Sequence, residues 1–163
     1  MNPVHAPMDI IEPPESTRAL VDAFLETAYI AECDDGQVEI AIGHLAAQLE
    51  ARVAGKCLGF ITAWNPGAER LSDEENNAAD RDLVHVIDSH RVERFPMHAV
   101  SPDGVWFEAG WLVSDVSRVT LDQWARRFGQ LGTLWWQRGH AVKLRVYHPK
   151  IAHSDNVFID WIE

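Results

Sequence analysis

Apolar positions recur along this chain in two rhythms, one helical and one alternating, and they mark the elements in order. Leu20, Val21, Phe24 and Leu25 fall at helical spacing and predict a first helix starting near Ser16 or Thr17. Residues 28–32 and 37–43 flank an Asp34-Asp35-Gly36 turn, with Val38, Ile40 and Ile42 on one face, and predict a hairpin with one packed side. A second helix is expected over 44–54, with Leu45 and Leu49 inward and Gly55 closing it. The run 57–63 is apolar on both faces: Leu58, Phe60 and Thr62 point one way, Gly59, Ile61 and Ala63 the other. Such a strand is covered on both sides and belongs in the middle of a sheet.

That central strand ends in Trp64 and Asn65, and Pro66-Gly67 turns the chain. Ser72, with Glu75 three residues on, forms a capping box. The helix it opens has Ala79, Leu83, Val86 and Ile87 inward, and Asn76 lies on the same stripe. Residues 91–100 alternate poorly and carry Pro96, which reads as an edge strand. Pro102-Asp103-Gly104 is a turn, and 105–114 is a bulky apolar strand interrupted by Glu108. A second capping box, Thr120 to Gln123, opens a fourth helix. Residues 133–137 and 141–147 read as a closing hairpin turned at Arg138-Gly139. Lys143 and Arg145 are expected to face water.

The sum is an α/β or α+β fold, with one mixed β-sheet and about four helices packed on it. Residues 1–15, with four prolines, are expected to form an extended arm; 16–147 form a single globular domain; 148–163 dock on it as a tail. The order of elements is α-β-β-α-β-α-β-β-α-β-β.

Composition narrows the function classes. A net charge of −11 opposes nonspecific binding to nucleic acid or anionic membranes. No apolar run is long enough for a membrane span, and the first residues lack a basic stretch followed by an apolar core, so a cytoplasmic protein is expected. Cys33 and Cys57 form no metal or redox motif and are expected to be reduced and partly buried. The eight His are scattered without a ligand spacing, so no metal and no cofactor are expected. No phosphate loop, dinucleotide fingerprint or nucleophile elbow is present.

Four pieces of the chain resemble a bacterial family known as domain of unknown function 3293: FITAWNP (60–66), LSDEEN (71–76), PDGVWFEAGWLV (102–113) and ARRFGQLGTLWW (125–136). The resemblance spans roughly 16–147 and implies no reaction, because the family has no established activity. The chain departs from the family's pattern at three positions. Ala68 stands where a small hydroxyl residue is common, Ala109 replaces a second glutamate after Glu108, and Leu131 follows Gln130 where an asparagine is usual.

Three constellations are candidates for chemistry. Trp64, Asn65 and Asn76 are placed to meet at the mouth of the central strand. They either tie the loop to the helix or hold a polar ligand, with Trp64 as a stacking surface. Glu108, on one face with Trp106, Gly110 and Leu112, is either an outward or ion-paired carboxylate, with Arg126 or Arg127 as partner, or a general acid or base. Arg126, Arg127 and Gln130 stand at the end of the fourth helix, where the basic residues suit the helix dipole or the group holds an anion. Two function classes follow. One is a small-molecule binding protein, or minor enzyme, with its pocket at the end of the 57–65 strand. The other is an acidic interaction module, of inhibitor or immunity type, that binds a basic protein through its surface or its tail.

Overall fold

The computed structural model describes residues 13–163; the greater part of the arm expected over 1–15 lies outside the described residues. The elements are α1 (Pro13–Glu26), β1 (Ala28–Cys33), β2 (Gly36–Ile40), α2 (Ala47–Glu50), β3 (Cys57–Thr62), α3 (Asp73–Ser89), β4 (Arg94–Val100), β5 (Phe107–Ser114), α4 (Arg118–Arg127), β6 (Gly132–Gln137), β7 (Lys143–Val146) and β8 (Ile159–Trp161). The strands form one eight-stranded sheet in the order β2-β1-β4-β5-β3-β6-β7-β8. Neighbours run antiparallel except the final pair, where β8 lies parallel to β7. The fold is the single mixed sheet with four helices that the patterning predicts.

β3 is interior, between β5 and β6, and its alternation divides the core in two. Leu58 and Phe60 pack with Val21 of α1, Leu49 of α2, Leu112, Leu134 and Leu144 on one face. Ile61 and Ala63 pack with Leu83 and Ile87 of α3 and Leu121 and Trp124 of α4 on the other. The molecule is thus three layers deep, with α1 and α2 on one side of the sheet and α3 and α4 on the other.

Five local readings differ from the sequence expectation. α1 begins at Pro13, three residues early, because proline is tolerated in a first helical turn where its missing N–H has no partner to lose. α2 shrinks to four residues because sheet pairing captures its expected start: Gly43 N–H donates to Val142 O, Val142 N–H donates to His44 O, and Leu45 bridges Ala141. α4 starts at Arg118, because Ser117 is the cap and its Oγ accepts from Thr120 N–H at 3.1 Å. β4 is interior rather than an edge; Pro96 pairs with Trp111 of β5 and lies just beyond Met97, where the pairing of β4 to β1 ends. Arg145 is buried, not solvated, because α4 covers that face. Its guanidinium donates to both oxygens of Asp122, at 2.9 and 2.7 Å, and Tyr147 donates to the same carboxylate at 2.8 Å.

Candidate functional site

The end of β3 is where the recognisable pieces of the sequence gather. Asn65 adopts a left-handed conformation (φ 48, ψ 56), which asparagine tolerates better than most residues. That turn lays Asn65 against α3, and the side-chain Nδ2 of Asn76 donates to Asn65 Oδ1 at 2.9 Å. The backbone N–H of Asn65 donates back to Asn76 Oδ1 at 2.8 Å, and Leu71 N–H reaches Asn65 Oδ1 at 3.0 Å. Both asparagines are buried, to 6 % and 1 % exposure. The Ser72–Glu75 box holds the helix start beside them. From the other side, the α4 exit packs on the same turn. Gly67 N–H donates to Gly129 O at 2.8 Å, and Gln130 Nε2 donates to Trp64 O at 3.1 Å. Gly129 has φ +65, and a Cβ there would lie 2.8 Å from the Pro66 side chain, so the two loops meet only over a glycine.

Beside this junction, on the α1 face of the sheet, lies a cavity of about 340 Å3. Its floor is sheet: Tyr29 of β1, Phe60 and Thr62 of β3, Ala99 of β4, Leu134 and Leu144. Its roof is α1, through Leu20, Ala23, Phe24 and Glu26. Asn65, Ala68, Ser101, Gln130 and Leu131 close it at the loop end. Ala23, Glu26, Ala68 and Pro102 are solvent-exposed and frame the mouth. Gly110 makes room on the floor, since a Cβ there would lie 2.9 Å from the Phe60 ring and 2.5 Å from the Ile61 carbonyl.

Glu108 opens into this space from the second position of β5. Burial pushes its carboxyl up to about 7, against the opposing pull of one hydrogen bond. That bond comes from Trp106 Nε1, which donates to Oε1 at 2.6 Å. Trp106 is itself set by the Pro102-Asp103-Gly104 turn: its N–H donates to Ser101 Oγ at 3.0 Å, and the Arg70 guanidinium lies 5.3 Å over its ring. Arg126 and Arg127 do not line the cavity, because α4 packs on the opposite face of the sheet. Arg126 donates to the Glu163 carbonyl and the guanidinium of Arg127 lies 5.6 Å from the Phe128 ring. The acid is therefore held by an indole and not by a cation.

The residues singled out in the sequence thus separate into groups. Asn65, Gln130 and Glu108 line the cavity. Trp64 and Asn76 lie behind them, on a second hollow shared with Arg70, Val105 and Phe107, where the Trp64 ring meets Phe107 edge-on at 5.7 Å. Arg127 is exposed and lines neither. Tyr29, Phe24 and Phe60 were not singled out, and nothing in an apolar strand pattern distinguishes a cavity wall from packed core. Ala68 and Leu131, two of the three positions read as departures from the resembled family, line the cavity. Among the described residues, no group of three or more His, Cys, Asp or Glu is placed to hold a metal ion, and no helix is long and apolar enough to cross a membrane.

No curated protein and no solved structure matches the chain. Residues 61–132 match the family model described as Protein of unknown function (DUF3293). That segment contains the Asn65–Asn76 junction, Trp106, Glu108 and Gln130, while α1 and β1 lie outside it. Over those residues, the match supports the resemblance read from the sequence.

Proposed function

We propose that the chain binds a small, largely apolar molecule in the cavity under α1, with Glu108 as its polar anchor. One observation carries the reading: a half-buried carboxyl with no counter-ion opens into a mostly apolar space. A carboxyl kept only for structure is poorly placed there, since an apolar side chain of similar volume avoids the desolvation cost. The cavity volume is at the lower end of the range for small-molecule sites. The apolar walls move the expected ligand from a polar one to one with a single polar group.

A carboxyl near neutrality suits proton transfer, but catalysis needs a second committed group. The hydroxyls nearby are engaged elsewhere: Tyr29 donates to Phe24 O and Thr62 to Ala109 O. Binding is therefore favoured over an enzymatic role. Thermal-shift screening of small amphipathic compounds against the native chain and Glu108→Leu tests this. Compounds that stabilise the native chain and lose their effect in the variant support the reading. Compounds that stabilise both equally remove Glu108 from the site.

The interaction-module reading draws on exposed carboxylates along α3, including Asp73, Glu74, Asp82 and Asp88. It predicts capture of a basic protein that weakens steeply with salt.

A further inference from the structure

We infer that the cavity selects a lipophilic amine: an ammonium or other protonated nitrogen base at Glu108, with its hydrocarbon portion under α1. This rests on the cavity being a binding site and goes further by fixing the charge of the ligand. Among the described residues, the lining carries no Lys, Arg or His. Its titratable groups are Glu108 from β5, Glu26 from α1 and Tyr29 from β1, and none of them carries a positive charge in any protonation state. The other lining strands, β3, β4, β6 and β7, contribute no titratable side chain.

An anionic head group would therefore sit beside Glu108 with nothing to offset it, and would meet Glu26 at the mouth. A cationic head group finds acceptors instead. Glu108 Oε2 has no hydrogen-bond partner among the described residues, because Trp106 uses Oε1. Gln130 spends its Nε2 on the carbonyls of Trp64 and Phe128 and leaves its Oε1 without a partner. Phe24, Tyr29 and Phe60 also line the cavity, and aromatic rings attract an ammonium over their faces.

The proton balance follows. An ammonium entering while Glu108 is protonated drives the acid to its carboxylate, forms an ion pair and releases that proton to solvent. No bond to carbon changes. Because the Glu108 carboxyl lies near 7, the release is partial at pH 7 and vanishes where the free protein is already ionised.

The experiment compares three probes of equal chain length, n-octylamine, 1-octanol and sodium octanoate, by titration calorimetry on the full chain at pH 7.5. The expected order is amine tightest, by tenfold or more over the alcohol, with octanoate weakest. Repeating the amine titration at pH 7 in buffers of different ionisation enthalpy should show fractional proton release, and affinity should rise from pH 5.5 to pH 8. Glu108→Gln, with its fold checked by circular dichroism, should bring the amine down to the alcohol's affinity and abolish the proton release. Octanol or octanoate binding as tightly as the amine overturns the inference and leaves the cavity a binding site for another class. Heat from none of the three overturns the binding site itself, and this inference with it.

Discussion

Asn76 and Asn65 hold each other through two reciprocal hydrogen bonds, side chain to side chain at 2.9 Å and backbone N–H to side chain at 2.8 Å. A polar pair read from sequence as either a tie between loop and helix or a ligand clamp makes, in geometry, that tie: a latch that fixes a left-handed turn onto α3. Asn76 spends both of its polar atoms on the latch, whereas Asn65 Nδ2 has no partner among the described residues.

The latch gives the first prediction. Asn76→Ala leaves the buried Asn65 N–H without an acceptor and frees the 65–71 loop. It should lower stability by about 2–4 kcal/mol, as expected when a buried donor loses its partner together with a second bond. Urea unfolding of both proteins measures this, and a loss under about 0.5 kcal/mol would show that the latch is not what holds the turn.

Glu108 gives a pH-dependent one. Its folded-state carboxyl is raised, to about 7, so the folded chain holds a proton that the unfolded chain gives up at lower pH. Between the ordinary glutamate range and about 7, the folded state binds more protons, and stability from this group falls as pH rises. Above that window the cost is complete, up to about 3 kcal/mol for a shift of this size. Glu108→Gln should therefore match the native chain near pH 4.5 and exceed it at pH 8. Denaturation midpoints that differ by the same amount at both pH values would show that the acid is not raised.

Asp122 supplies the third. It is the partly buried partner of Arg145, itself 6 % exposed, and also accepts from Tyr147. Asp122→Ala leaves the guanidinium with only Asp160, at 3.3 Å, and should cost up to about 3 kcal/mol. Replacing the pair by apolar residues, Asp122→Leu with Arg145→Met, should recover most of that loss. If the double variant is as unstable as the single one, the ion pair contributes more than it costs to bury.

Much of the sheet was legible because its signals are strong and local. The two-faced apolar run of β3 announced an interior strand, Ser72 and Glu75 announced the start of α3, and Asn76 lay on the stripe with Leu83. What escaped was decided by tertiary partners. Residues 44–45 read as a helix start, yet a sheet edge was available to them at 141–142. Arg145 alternates like a solvated residue, and nothing in β7 itself announces that Asp122 lies above it. Glu108 was visible as an interruption, but the partner proposed from sequence was a cation, and the indole two residues away was the one in reach. The cavity exists because α1 crosses the face bearing Phe60, and chain order alone does not specify that crossing.

Phe60 and Ile61 are neighbours in sequence and belong to different cores. The sheet is in effect a partition: the volume beside Glu108 is walled by one set of side chains, and the α3–α4 layer is filled by another. Repacking around Leu83, Ile87 or Leu121 adjusts how firmly the molecule is built and leaves the shape of the opposite compartment alone. Anyone seeking a sturdier version of this protein therefore has a whole layer in which to work, away from the space where selectivity would be decided.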